Sequence, residues 1–318
     1  MKTAAILVTG ANGFVGKSLC AELLQQKFAV RTAVRSLNKQ VDYVERALIG
    51  TIGAETNWTA ALKDIDIVIH LAARVHVMND KALNPLEEFR QVNVESTLAL
   101  AVQAAKAGVK RFIFISSIKV NGEFTVLDKP FTVQDAANPQ DVYAISKYEA
   151  EQGLLLIARQ TGMDVVIIRP PLIYGAGVKA NFASMLKAVK QGIPMPLGAV
   201  YNKRSFVYVG NLVSLMVCCI EHPAAKNQLF LVSDGHDLST TELLQACARA
   251  LGVKSRLLPV PQNLIEACAT LLGKQSLAQR LCGNLQIDIS KTYALLGWQP
   301  PITVADGLKT TALALQGE

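Results

Sequence analysis

The spacing Gly10-Ala-Asn-Gly13-Phe-Val-Gly16 constrains this chain more than any other feature. It follows an apolar run, Ala4-Ala-Ile-Leu-Val8, and precedes a helical pattern carried by Leu19, Leu23 and Leu24. A glycine turn between a strand and a helix is the context in which such a motif holds a phosphate. Glycine lets backbone approach an anion closely, and the helix N-terminus turns its N–H groups toward it. This reading assigns Gly10, Asn12, Gly13, Phe14, Val15 and Gly16 to a dinucleotide pyrophosphate. The spacing is GxxGxxG and not the commoner GxGxxG.

The same alternation continues through the first half of the chain. Apolar runs at 29–34, 44–49, 65–71, 112–116 and 165–168 read as strands, the run at 65–71 being continuous enough for burial on both faces. Helical periods cover 86–107, followed by Gly108, and 142–160, ended near Gly162; Pro170-Pro171 stops the last strand. Strands alternating with helices predict a parallel sheet that binds ligands beyond the carboxyl ends of its strands. Past Pro170, glycines and prolines punctuate short elements before helices return at 240–251 and 262–272. The expected architecture is α/β, a Rossmann-type doubly wound parallel sheet in residues 1–170. Residues 171–318 are expected to supply mainly a smaller, irregular C-terminal substrate lobe, interleaved with the sheet domain.

Composition narrows the class. Apolar residues make up 51% of the 318 and charged residues 18%, which is globular. No apolar run reaches the roughly 18–20 residues of a membrane span, and 212–220 reads as a buried helix. The short apolar stretch after Met1-Lys2-Thr3 runs into the glycine turn and reads as the first strand, so the expected location is cytoplasmic. The six cysteines form no CxxC pair, which argues for buried thiols and no metal. The net charge of +7 is spread along the chain without a basic run, so neither nucleic acid nor membrane is an expected partner.

Two features carry chemistry. Tyr143 and Lys147 form a YxxxK pair, which a helix places on one face. A lysine cation beside a phenol favours the phenolate and brings the tyrosine toward acid/base range. Ser116-Ser117 ends the run at 112–116, where a hydroxyl faces the ligand crevice.

With these residues in view, the chain resembles an extended short-chain dehydrogenase/reductase of the NAD-dependent epimerase/dehydratase family over essentially its whole length. His70-Leu71-Ala72-Ala73, Asn93, Arg169-Pro170 and Leu296-Gly-Trp298 match its pattern alongside the glycines, Tyr143 and Lys147. The resemblance implies Ser117, Tyr143 and Lys147 as catalytic residues, with Lys147 also holding the nicotinamide ribose. It places Leu71, Ala72, Ala73, Asn93 and Pro170 along the cofactor, and Asn181 and Arg204 on a nucleotide-sugar substrate. A homodimer through the helices near 86–107 and 142–160 is common among such proteins and is expected here.

Three departures from the family pattern shape the functional expectation. Val34-Arg35-Ser36 follows the second strand with no acid, so Arg35 is expected to meet a 2′-phosphate, with NADP(H) preferred and NAD(H) possible. Thr51 stands where an aspartate often sits near the adenine. Ile118-Lys119 follow Ser117 in place of the acid pair of dehydratases, which disfavours dehydration. The segment from Ser116 to Glu123 resembles a subgroup of bacterial surface-polysaccharide synthesis. The expectation is therefore NADP(H)-dependent reduction of a UDP-4-keto-6-deoxy-N-acetylhexosamine. The alternative is a UDP-hexose or UDP-N-acetylhexosamine 4-epimerase with tightly bound NAD, and a third reading is a non-catalytic NADP-binding sensor.

Overall fold

The computed structural model describes residues 4–36, 44–75 and 84–316. Strands β1 (Ala5–Thr9), β2 (Ala29–Val34), β3 (Glu45–Leu48), β4 (Ile67–His70), β5 (Arg111–Ile115), β6 (Asp164–Arg169) and β9 (Leu229–Leu231) form one sheet in the order β3-β2-β1-β4-β5-β6-β9. Every pairing in it is parallel. This is the Rossmann order, with its switch point between β1 and β4. Strands β7 (Leu172–Tyr174) and β8 (Phe206–Tyr208) pair in parallel as a separate two-stranded sheet, an element that the expectation did not contain.

The central strands β1, β4, β5 and β6 are apolar along their middles because both faces are covered. Ile6, Val8, Ile67, Ile69, Ile113, Ile115, Val166 and Ile168 enter one core cluster. The intervening Leu7, Val68, Phe112, Phe114, Val165 and Ile167 enter the other. Alternate residues point to opposite faces of a strand, so a sheet covered on both sides needs an unbroken apolar run. Helices α1 (Phe14–Gln25) and α7 (Val209–Glu221) bury Leu19, Leu23, Leu212 and Met216 in the first cluster. Helices α2 (Thr59–Leu62), α4 (Ser96–Lys106) and α5 (Val142–Thr161) bury Leu62, Leu100, Leu154 and Ile157 in the second. The region expected as one helix over 86–107 is α3 (Pro85–Arg90), a π-helical turn (Gln91–Glu95) and α4. The π turn re-aims Asn93 within an otherwise continuous helix.

The C-terminal part adds α6 (Ala180–Lys190), α8 (Thr240–Leu251), α9 (Gln262–Leu271), α10 (Gln275–Cys282), α11 (Ser290–Leu296) and α12 (Val304–Gln316). Its chain returns to the main sheet through β9, on β6. Helix α8 starts at a full capping box between Ser239 and Glu242 and stops at Gly252 in the left-handed region. A buried Asp234 fastens this part together: it accepts from Tyr174 Oη (2.7 Å), Tyr208 N (2.8 Å) and Asn211 Nδ2 (2.8 Å). Among the described residues no helix is long and apolar enough to cross a membrane, and no cysteines are paired.

Candidate active site

The glycine turn closes the carboxyl end of β1 against the loop that leaves β4. Gly10 has φ +70°, and a Cβ on it would lie 2.8 Å from Ala72 N. Gly16 is tighter: a Cβ there would lie 2.2 Å from Gly10 O and 2.7 Å from Ala11 Cα. Gly13 is the N-cap of α1 and, lacking a side chain, leaves the first-turn amides uncapped. Asn12 and Gly13 are exposed, whereas Phe14 and Val15 are half-buried. Backbone packed this closely beneath an uncapped helix end of 12 residues fits a diphosphate, by the donor chemistry of the amides and the aligned dipole. Gly16→Ala pushes backbone against backbone, and its expected effect is loss of copurifying dinucleotide with a stability loss of about 1–3 kcal/mol. Thermal unfolding and the absorbance of the purified protein measure both.

A relay missed in the sequence holds the loop after β4. Thr9 Oγ1 accepts from Leu71 N and Ala72 N, each at 3.2 Å, and lies 2.8 Å from His70 Nδ1. His70 Nε2 lies 3.0 Å from Thr97 Oγ1. The Thr9 and Thr97 hydroxyls thus hold the two ring nitrogens between them. Burial pushes the His70 pKa down to about 3, with the Lys147 charge acting in the same direction. A neutral His70 therefore fixes Leu71-Ala72-Ala73, all half-buried, against the glycine turn. Thr9, directly before Gly10, was the available signal.

Asn93 is buried at 1% exposure and is fully engaged with protein. Its Nδ2 donates to Arg74 O and Ser146 Oγ, each at 3.0 Å, and its Oδ1 accepts from Arg74 N at 2.7 Å. It joins the β4 loop to α5 rather than presenting spare donors to a ligand.

Helix α5 brings the catalytic candidates to the end of β5. Asp141 caps it by accepting from Ala144 N at 2.7 Å, and Gly162 stops it in the left-handed region. Lys147 reaches beneath the sheet edge, where Nζ donates to Ile115 O at 2.8 Å and lies 4.4 Å from the Phe114 ring centroid. Burial lowers its pKa to about 7, partly opposed by Glu151. Tyr143 is half-buried, with its ring edge-on to Phe89. Burial first, and then the Asp141 carboxylate, push its pKa above the ordinary phenol value. The expected depression by Lys147 does not appear: the Tyr143 pKa is raised, and Lys147 Nζ donates to Ile115 O.

The two serines separate clearly. Ser116 Oγ is buried and has no hydrogen-bond partner among the described residues. Ser117 is half-buried and caps the 3₁₀ turn Ile118–Val120, its Oγ accepting from Lys119 N at 3.2 Å. That bond leaves the Ser117 proton available to a ligand oxygen. Lys119 also pairs with Asp141 (2.5 Å) and Glu123 (3.3 Å), linking the serine turn to the cap of the tyrosine helix. Beneath them, Arg169 donates to both oxygens of Glu151 (2.9 and 2.5 Å) and to Asn121 Oδ1 (2.8 Å). Pro170 is buried beside this network, and its carbonyl accepts from Ile118 N at 3.0 Å.

The outer positions are more scattered. Arg35 is exposed just past β2, and Thr51 is exposed as well. Asn181 is exposed in the first turn of α6. Arg204 is half-buried, its Nη1 donating to Gly283 O at 3.0 Å, and burial lowers its pKa. No group of three or more potential metal ligands occurs among the described residues.

Comparison with known proteins agrees with this geometry. Residues 6–232 match the model of the NAD dependent epimerase/dehydratase family. A UDP-glucose 4-epimerase of Vibrio cholerae is 49% identical over 313 residues, covering 98% of this chain and 95% of that protein. An N-acetyl-alpha-D-glucosaminyl-diphospho-ditrans,octacis-undecaprenol 4-epimerase of Escherichia coli O157:H7 is 30% identical, covering 96% of this chain and 93% of its own. The fold superposes on the UDP-glucuronic acid 4-epimerase of Bacillus cereus in complex with NAD, with a TM-score of 0.79 at 20% identity and coverage of 98% and 99%. These findings overturn the expected keto-sugar reductase: the near full-length similarity at 49% is to a 4-epimerase. The reductase expectation had leaned on a short segment around Ser117 and on one arginine after β2, neither of which reports the direction of net chemistry. On the match across most of its length, the chain belongs to the NAD dependent epimerase/dehydratase family of enzymes.

Proposed function

We propose that this protein interconverts the C4 epimers of a UDP-hexose or UDP-N-acetylhexosamine. The observation that carries the reading is the 49% identity to the Vibrio cholerae UDP-glucose 4-epimerase across nearly all of both chains. The site supplies chemistry to match. A nicotinamide dinucleotide held there would supply reversible hydride chemistry at C4, and inversion requires that the 4-keto sugar turn over in the site so that the hydride returns to its opposite face. Tyr143 takes the proton of the 4-hydroxyl and later returns it to the same oxygen. Ser117, its oxygen already held by Lys119 N, donates a hydrogen bond to that oxygen. Lys147 would hold the nicotinamide ribose with the Nζ protons that its bond to Ile115 O leaves free.

The glycine turn and the uncapped first turn of α1 would hold the dinucleotide diphosphate. Arg204 and Asn181 would face the sugar-nucleotide diphosphate, Arg204 as a forked donor. Arg35, exposed where no acid follows β2, favours a 2′-phosphate, and weighing the copurified dinucleotide decides between NADP and NAD. Homodimer contact would use α4 and α5, where Val102 (38%) and Leu156 (53%) are exposed. The purified protein, given UDP-glucose and UDP-N-acetylglucosamine in turn, is expected to form the galacto epimer of at least one without net change in nicotinamide absorbance. Conversion that consumes a stoichiometric reductant, or no interconversion of either sugar, refutes the reading.

A further inference from the structure

The hairpin of α9 and α10 carries apolar side chains that the fold leaves uncovered. Leu271 is 87% and Leu272 71% exposed, and Leu264 and Leu277 are each above half exposed. Helix α9 has ten residues and buries none. Leu264, Cys268 and Leu271 recur at steps of four and three, so they share one face of the helix. Ile265 and Ala269 are half-buried on the other side, with Ile265 against the main core. The outward stripe is therefore not the face that folding required to be apolar. Such a stripe ending in two adjacent, nearly bare leucines marks a binding surface.

Charge identifies the occupant. Between 254 and 282 the exposed cations are Lys254, Arg256, Lys274 and Arg280, against a single acid, Glu266, which accepts from Gln262. Gly273, at φ +64°, turns the chain between Leu272 and Lys274, so the most exposed leucines are followed at once by a cation. A second copy of the chain would set these cations against their own equivalents in a symmetric contact. A surface that is apolar within and anionic at its boundary satisfies both features together. We propose that the α9–α10 hairpin docks this protein on the surface of an anionic lipid bilayer, with Leu264, Leu271 and Leu272 at the acyl boundary and Lys274 and Arg280 on the headgroups. The base of the hairpin is tied to the loop bearing Arg204: Gly283 O accepts from Arg204 Nη1 and, at 2.8 Å, from Asn202 Nδ2. Docking thus holds the substrate lobe beside the membrane, an arrangement independent of which sugar is bound.

Flotation of the full chain with unilamellar vesicles tests this. Binding is expected to phosphatidylglycerol/phosphatidylethanolamine vesicles, to weaken with added salt, and to be near background on phosphatidylcholine alone. Leu271→Ser with Leu272→Ser is expected to lower the partition coefficient about tenfold or more, with an unchanged unfolding temperature because neither side chain is buried. Lys274→Glu with Arg280→Glu should also weaken it, whereas Val126→Ser with Leu127→Ser, exposed elsewhere, should leave it unchanged. No binding to anionic vesicles at low salt overturns the proposal, as does equal binding to neutral ones. Self-association that the Leu271→Ser, Leu272→Ser variant abolishes would assign the stripe to a second copy instead and equally overturn it.

Discussion

Tyr143→Phe is expected to lower turnover by roughly 10²–10⁴-fold while leaving dinucleotide and sugar-nucleotide binding near normal. The substitution removes one oxygen and nothing that folding needs. The ring keeps its edge-on contact with Phe89, and helix α5 keeps its Asp141 cap and its Gly162 stop. What is lost is the atom proposed to take the proton of the 4-hydroxyl and return it. Burial and Asp141 both disfavour the phenolate, so no neighbouring group on α5 replaces it cheaply: Asp141 is a helix cap paired to Lys119, and Lys147 is bound to Ile115 O. Initial rates with and without the substitution, together with titration of the bound dinucleotide by fluorescence, check the split. Turnover within a few-fold of the unsubstituted enzyme would remove Tyr143 from the mechanism.

Glu151→Gln is the most damaging expected change to stability, at roughly 3–5 kcal/mol. Glu151 is 1% and Arg169 5% exposed, and the pair is bidentate. An amide leaves the guanidinium buried with one neutral acceptor and Asn121. A buried pair contributes little over an apolar replacement of the same shape, but an orphaned buried charge is costly. Glu151→Leu combined with Arg169→Met is therefore expected to recover most of the loss, and urea unfolding of Glu151→Leu, of Arg169→Met and of the double variant measures the coupling. The single change has a second effect on the site. Glu151 raises the Lys147 pKa against the depression by burial, so its removal drops that pKa below about 7. Less of the lysine is then charged at neutral pH, and the residual activity should shift toward lower pH.

Much of the scaffold was readable because its signals are local. The glycine spacing, the apolar runs and the helix at 240–251 each rest on residues within a few positions of one another, and the Ser239–Glu242 box and Gly252 mark that helix at both ends. The YxxxK pair and Ser117 could be named as candidates for the same reason. The state of those groups was not. The Lys147 pKa depends on Ile115, Phe114 and Glu151, and the Tyr143 pKa on burial that no spacing encodes.

By itself, then, the sequence determined a parallel sheet with a glycine turn at its carboxyl edge, and it named a tyrosine, a lysine and a serine as candidates beside it. Tertiary structure alone decided which groups are neutral, as with His70 between Thr9 and Thr97, and which buried charges meet, as with Arg169 and Glu151. It also decided which apolar faces stay bare, as with Leu264 and Leu271 on a helix that reads in sequence like any other buried one. The physical reason is the range of the interactions. Backbone preference and periodicity act over one or two turns of chain, whereas desolvation, ion pairing and exposure depend on neighbours that the crossovers bring from distant positions.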